Sequence, residues 1–454
     1  MYKRFFLCFF IAHIYQLHTG SYNDSIELTQ SIPEGTEKTF ESTEIRNTHD
    51  VLIDMINNAK KSINIGMFYF DTKKGESLDD IIKALEKSAQ QDVPIKIVAD
   101  ASFYKSNPKS LDQLASHKNF FIRLIDMKKI AGGVMHAKYM IIDEHEIFLG
   151  SHNFDWIAFK QVHEVGVRIR NIDLAKTIQA IFNVDWNLSQ TIQKFTEQSS
   201  SSTKKQKASP LPKIEKKNLF NSVNRNHPVK VTLNQEHITI YPAFSPKFLS
   251  YKNVDNEETV ITYLMSQAKK NIFVQVMEFS PVTYQKKLYA TLENSIKQAS
   301  LDNVKIQLIF ADWSIKYPGF SFVQALSLIP HIEIKISTIP PLEPCLPFSR
   351  VEHCKYMVID DDILWIGTGN WEYSYFYNCR NLGVCIKSKQ LNKIARKLFL
   401  KDWEGPYVAY LNPLQKYHAP DYECHQIKNK TIAKPLTSEK IPLLLSDSIE
   451  QKNP

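Results

Sequence analysis

Two stretches, HAKYMIIDEHEIFLGSHNF (His136–Phe154) and HCKYMVIDDDILWIGTGNW (His353–Trp371), repeat one pattern at an offset of 217 residues (353 − 136). Six positions keep that offset: His136 and His353, Lys138 and Lys355, Asp143 and Asp360, Gly150 and Gly367, Ser151 and Thr368, Asn153 and Asn370. The runs YMIID and YMVID are apolar and β-prone, so each HxKxxxxD reads as a strand. Side chains alternate along a strand, which puts the His and Lys of each cassette on one face. Asp143 and Asp360 lie seven residues past their His, an odd spacing, so they are expected to face away and act structurally. After a tight turn, IFLGS and LWIGT return as neighbouring strands. Gly150 and Gly367 are expected to let the chain bend there, bringing Ser151, Asn153, Thr368 and Asn370 beside the His–Lys face.

Outward from the cassettes the duplication continues. VLIDMINNAKKSINIGMFYF (Val51–Phe70) and VITYLMSQAKKNIFVQVMEF (Val260–Phe279) each read as an amphipathic helix running into an apolar strand. A helix over Ser77–Gln91 and a strand over Val93–Asp100 follow in the first half. Lys287–Ser300 and Val304–Asp312 follow in the second. Ser77 with Asp80 resembles a capping box. Helices alternating with short apolar strands predict an α/β fold. Between the copies lies TEQSSSSTKKQKASPLPKIEKK (Thr196–Lys217), polar and proline-punctuated, which reads as a linker. The expected units are residues 21–195 and 218–412, with a tail over 413–454.

Hydrophobic residues make up 43% and charged residues 23% of the 454, which excludes wholesale disorder and a polytopic membrane protein. Of the net charge of +8, the linker holds four charges and the N-terminus two, so the folded body is near neutral and no strongly basic surface is expected. Many of the 14 His would charge in an acidic lumen. Residues 1–20, with Lys3 and Arg4 ahead of an apolar run broken by His13, read as a secretory signal, with a signal anchor as the alternative. The secreted space or the endolysosomal lumen is the expected location. Removing Cys8 leaves five cysteines, an odd number, so at least one thiol is unpaired or bridges to another chain. Sequons begin at Asn23, Asn187 and Asn429.

Two imidazoles, two ammonium groups and a set of neutral hydrogen-bonding groups suit phosphoryl transfer through a covalent histidine. One neutral His attacks phosphorus while the protonated His on the other side gives a proton to the leaving oxygen. The second His then activates water. Lysines and amides hold the non-bridging oxygens. No metal or cofactor is required.

Both cassettes resemble the HxKxxxxD…GSxN signature of the phospholipase D superfamily, with Thr368 in place of Ser. FLGSHNFDW (Phe148–Trp156), EVGV (Glu164–Val167), HCKYMV (His353–Val358), IGTGNW (Ile366–Trp371) and FLKDWEGPY (Phe399–Tyr407) are similar to its endolysosomal exonuclease subgroup, family members 3 and 4. The resemblance implies two similar α/β/α sandwich domains related by a pseudo-two-fold axis, with one shared active site. It implies metal-free phosphodiester hydrolysis with His136, Lys138, Asn153, His353, Lys355 and Asn370 catalytic. Ser151, Thr368, Asp143 and Asp360 would support them. Glu164, eleven residues past Asn153, fits the family's acidic position that orients a His. The equivalent position holds Asn381, so in the second half that support is expected to be missing or supplied elsewhere. The leading expectation is a 5'-exonuclease on single-stranded DNA or RNA. The alternative is a phospholipase or transphosphatidylase acting on phosphatidylcholine-type lipids, and a non-enzymatic binding role is the third reading. The expected partners are therefore single-stranded nucleic acid or phospholipid as substrate, with a homodimer allowed and no obligate protein partner. Aromatic residues follow the motifs at Trp156, Trp371, Tyr373, Tyr375, Phe376 and Tyr377, and Tyr69 and Phe70 end an early strand. Trp371 and Tyr373 are the expected stacking platforms for unpaired bases, at about 1–3 kcal/mol per base.

Overall fold

The apolar runs flanking each cassette collect into one mixed sheet per half. A computed structural model describes residues 24–200 and 214–424, with side chains described through residue 197 of the first stretch. The signal segment, most of the linker, the sequons at Asn23 and Asn429, and the end of the tail lie outside the described residues.

In the first sheet, strands Ser25–Ser31, Glu164–Arg170, Glu146–Gly150, Lys138–Ile142, Ile63–Met67, Ile95–Asp100 and Phe120–Ile125 lie side by side in that order. In the second, Glu236–Ser245, Asn381–Lys387, Ile363–Gly367, Lys355–Ile359, Asn271–Val276, Lys305–Ala311 and Ile332–Ser337 repeat the order. In both, the three strands away from the cassette pair in parallel and the others antiparallel. The two halves are one fold used twice.

Helix starts follow the duplication as well. Asn47 caps Thr48–Asn58 and Asn256 caps Glu257–Ser266, each through its side-chain oxygen. Asn171 caps Ile172–Leu188 and Ser388 caps Lys389–Trp403 in the same way. The helices cover the sheets with Val51, Leu52, Leu78, Ile81, Leu174 and Ile178 on their buried faces. One apolar core runs through both halves, from Ile26 and Leu174 to Val260 and Phe399. Burying that much apolar surface between the halves makes them one cooperative body. Among the described residues no helix is long and apolar enough to cross a membrane.

Four local expectations change. The second-half helix begins at Thr291, not at residue 287, because residues 281–290 form a loop, exposed over 284–288 and closed by the Val282–Leu288 bridge. Ser77 is the first helical residue and its hydroxyl donates to the Trp156 carbonyl, so no capping box forms. Gly150 ends a strand against Gly166, and a Cβ there would stand 2.8 Å from the Gly166 Cα. Close approach, and not a bend, requires the glycine. The tail does not leave the fold at residue 413: Cys424 is disulfide-bonded to Cys345, and Tyr422 packs on Trp313 with ring centroids 4.6 Å apart. Cys354, Cys379 and Cys385 are buried thiols.

Candidate active site

Each cassette strand ends in a three-residue turn that begins at its Asp. Asp143 and Asp360 both adopt left-handed backbone there, with φ of 53° and 48°. The Asp143 carboxylate accepts the main-chain N–H groups of Lys60, Lys61 and Ser62 at 2.8, 2.6 and 2.9 Å. Asp360 does the same for Lys269, Lys270 and Asn271 at 2.8, 2.7 and 2.9 Å. These carboxylates tie the cassette to the helix–strand junction beside it and lie far from the imidazoles along the strand.

At the other end of the strands the two halves meet through two matching parallel bridges, Met135 with Arg380 and His163 with Glu352. His136 N–H donates to the Arg380 carbonyl at 3.0 Å, and His353 N–H to the His163 carbonyl at 2.9 Å. This register carries each imidazole to a partner in the opposite half. Glu164 Oε2 lies 2.9 Å from His353 Nδ1. Asn381 Oδ1 lies 3.0 Å from His136 Nδ1. The Asn381 amide group donates to the Tyr375 carbonyl at 3.0 Å, which leaves its oxygen as the acceptor for the ring N–H. Both imidazoles therefore present Nε2 to the space between the halves. One is backed by a carboxylate and the other by a neutral amide.

That space is a cavity of about 530 Å3, lined by His136, His353, Asn153, Asn370 and Glu164. Asn153 Oδ1 and Asn370 Oδ1 are buried without a protein partner. Lys138 and Lys355 lie fully buried next to the histidines, each ammonium donating to the carbonyl of its own cassette His. Each keeps two N–H groups uncommitted to that bond. Ser151 and Thr368 are fully buried and do not line the cavity. Ser151 Oγ pairs with the main chain of Val165, and Thr368 Oγ1 with Asn381 Oδ1 and the Leu382 N–H. The hydroxyls brace the strands that carry Glu164 and Asn381, so the expected four neutral groups beside the His–Lys face reduce to two.

Burial, then the neighbouring ammonium groups, pushes both His136 and His353 well below the ordinary imidazole value. Burial and the nearness of Lys355 push Lys138 well below the ordinary lysine value, and burial brings Lys355 down to about 8. Burial raises the Glu164 carboxyl, against the pull of surrounding cations. Burial and the buried ammonium groups thus favour the neutral form of both imidazoles, although Asp71, Asp155, Glu164 and Glu278 also line the cavity.

The cavity walls are aromatic, and of the aromatic residues the sequence pointed to, Tyr69 and Tyr375 line it while Trp371 and Tyr373 do not. Trp371 is 2% exposed and packed in the core, with its main-chain N–H donating to the Glu278 carbonyl. Tyr373 lies outside the cavity, stacked on Tyr377 at 4.4 Å. Both follow the motif Asn, but the chain turns there and carries one inward and the other past the rim. The walls are Phe68, Tyr69 and Phe103 on one side, Trp313 and Phe348 on the other, with Tyr375 edge-on to His136 at 4.7 Å. Phe68, Phe103 and Trp313 each stand one to three residues past the carboxyl end of a parallel strand, the usual place for a ligand in open α/β sheets. That position was the signal that pointed to them.

One group of metal-ligand type exists among the described residues, His163, Glu352 and Cys354. His163 Nδ1 is already engaged by Glu352 at 2.7 Å, and burial keeps the Cys354 thiol protonated. It is an internal ion pair, separate from the cavity.

The sequence profile of the "Cardiolipin synthase, PLD-like domain" family matches residues 52–186 and 261–403, one copy per half and more than half of the chain. The chain belongs to the PLD-like domain family. It is a phosphodiesterase of the phospholipase D superfamily, with a two-domain phospholipase D fold. The 5'-3' exonuclease PLD3 of Xenopus laevis is 27% identical over 420 residues, covering 86% of this chain and 82% of that protein. Phospholipase D Z of Dictyostelium discoideum is 27% identical over 403 residues, covering 84% and 90%. Among solved structures, the phosphatidylserine synthase of Haemophilus influenzae Rd KW20 aligns over 85% of this chain and 87% of its own, with a TM-score of 0.56. At 13% identity, that likeness shows the fold alone.

Proposed function

We propose that this phosphodiesterase works without metal through a phosphohistidine and acts as a 5'-exonuclease on single-stranded DNA or RNA. The observation that carries the mechanism is the pair of imidazoles, one from each half, whose Nδ1 atoms are held from behind while both rings line one cavity. A fixed Nδ1–H leaves Nε2 with its lone pair outward, the tautomer a nucleophile or general base needs. One imidazole attacks phosphorus and the other protonates the leaving oxygen, then takes a proton from water as that water releases the intermediate. Lys138, Lys355, Asn153 and Asn370 stabilise the charge on the non-bridging oxygens. The opposed aromatic walls support the nucleic-acid reading, since bases stack on such rings without regard to sequence. The disulfide between Cys345 and Cys424 supports action in an oxidising compartment such as the secreted or endolysosomal space.

A second reading has its own support. Asp71, Asp155 and Glu278 share the cavity wall with Trp313 and Tyr375, and carboxylates beside aromatic faces suit a quaternary ammonium headgroup. The deciding experiment incubates the purified protein, with EDTA present, on 5'-labelled and 3'-labelled single-stranded oligonucleotides and on phosphatidylcholine vesicles. Mononucleotides released in order from the 5' end support the exonuclease. Free choline without oligonucleotide cleavage supports the lipid enzyme, and loss of all activity in EDTA defeats the metal-free mechanism.

A further inference from the structure

The pseudo-two-fold relation fails at one buried position. Residues 163 and 380 are equivalent under the 217-residue offset (380 − 163), each one residue ahead of the group that supports a catalytic imidazole. Arg380 is fully buried and engages four of its five N–H groups: it donates to Asp185 at 2.9 and 2.7 Å, to the Ser245 carbonyl at 2.9 Å and to the Leu249 carbonyl at 3.0 Å. His163 is equally buried, but it is an imidazole between two carboxylates. Its Nδ1 is 2.7 Å from Glu352 and its Nε2 3.9 Å from Asp402, with Phe40 stacked on the ring at 4.3 Å. Asp402 is the counterpart of Asp185 (402 − 185 = 217), whereas Glu352 stands where the first half has the apolar Met135.

The main chain shows what this pair is attached to. His163 N–H donates to the Val351 carbonyl at 3.0 Å, and the His163 carbonyl accepts the His353 N–H at 2.9 Å. Glu352 Oε1 accepts the Cys354 N–H at 3.1 Å. The His163–Glu352 ion pair is therefore a side-chain rung laid beside the backbone rung that sets Glu164 opposite His353. We propose that His163 is a positioning residue: its imidazolium, hydrogen-bonded to Glu352 and facing Asp402, locks the register of the two halves in which Glu164 meets His353 Nδ1. The proposal rests on the mechanism above only in taking His353 as a reacting group.

The charged groups around the ring fit that role. Glu352 and Cys354 face it from the segment ahead of strand Lys355–Ile359, and Asp402 from helix Lys389–Trp403. Glu164 and His152 approach from its own half. Burial opposes the charge on His163, but the Glu352 and Asp402 carboxylates overcome it and hold the ring protonated up to about 9. Asp402, raised to about 7 by burial, takes up a proton in mild acid and leaves Glu352 as the counter-charge. The folded value of His163 exceeds the unfolded one, about 6.5. Its stabilisation is therefore present at neutral and acid pH and lost as pH rises through about 9.

The test compares full-length wild-type protein with His163→Arg, which installs the permanent cation of the symmetry mate, and with His163→Gln. Thermal unfolding is followed across neutral to alkaline pH, and kcat and KM are measured on bis(p-nitrophenyl) phosphate. His163→Arg should keep most of kcat and lack the fall in Tm expected of the wild type as pH rises from about 6.5 through about 9. His163→Gln should lose about 10- to 100-fold in kcat, the scale of a misplaced reacting group, with KM little changed. Lys355 titrates in all three proteins, so comparing variant with wild type at each pH removes its effect. An alkaline Tm decline identical in wild type and His163→Arg, or a folded His163→Gln with wild-type kcat, overturns the proposal. Should the wild type not cleave the diester, the mechanism fails, while the unfolding comparison still decides the role of His163. Should His163→Gln not fold, the His163→Arg comparison decides it.

Discussion

The unequal backing of the two imidazoles can be reversed by two single substitutions. Glu164→Gln keeps the shape behind His353 and removes the charge; Asn381→Asp keeps the shape behind His136 and adds one. A hydrogen bond to a charged partner contributes about 1–1.5 kcal/mol more than one to a neutral amide, so removing the charge behind His353 at 2.9 Å should lower kcat about 5- to 12-fold. The sign of the pH effect follows from the same geometry. Without the carboxylate the protonated form of His353 loses support, its pKa falls, and the kcat profile moves to lower pH. In Asn381→Asp an opposite charge at hydrogen-bond distance raises the His136 pKa by about 1–3 units, and the profile moves to higher pH. The two titrations are coupled, so the shift belongs to the pair and not to one limb. The assay is kcat against pH at constant ionic strength for wild type and both variants, with circular dichroism to confirm folding. Profiles that do not move, or that move in the same direction, would refute the account of how these imidazoles are tuned.

His136→Ala and His353→Ala should each abolish turnover with folding retained, checked by single-turnover assays and circular dichroism. Asp143→Ala and Asp360→Ala each strand three main-chain N–H groups and should destabilise the fold by about 1–3 kcal/mol in urea titrations, with kcat of the folded protein unchanged. Lys355 should titrate near 8, visible by NMR of 13C-labelled lysine, and the rate should fall as pH rises through that value because the ammonium is lost. Cys424→Ser should raise KM for a single-stranded oligonucleotide while leaving kcat on a small diester unchanged. The tail supports Tyr422, whose carbonyl takes the Phe348 N–H at 2.9 Å and whose ring packs on Trp313, and those two side chains form one cavity wall.

What could be read from the sequence was whatever repeats or alternates locally. The cassette offset announced the duplicated fold, and the His–Lys spacing announced a shared strand face. The odd spacing of Asp143 correctly set it apart from the imidazoles, although the strand stops at Ile142 and the turn, not the strand, aims its carboxylate. The partner of Glu164 was not legible, because His353 lies 189 residues away and reaches it only through the docking of two sheets. Asn381 carried no signal for the same reason; it looked like a gap in the pattern and proves to be the acceptor behind His136. Trp371 misled because adjacency in sequence to a motif residue says nothing about which way the next side chain turns. The tail misled because its attachment is a covalent bond between two cysteines 79 residues apart.

The reciprocal backing, with each histidine steadied by a residue from the opposite half, amounts to a built-in interlock. During synthesis the first half emerges with His136 and without Asn381, and its own Glu164 has no imidazole to hold. A truncated chain, or one whose halves have come apart, carries complete signatures and no aligned pair of reacting groups. Hydrolytic capacity therefore arises in one step, when the second half closes on the first. An unfinished or damaged copy lacks the aligned pair and is expected to be hydrolytically inert.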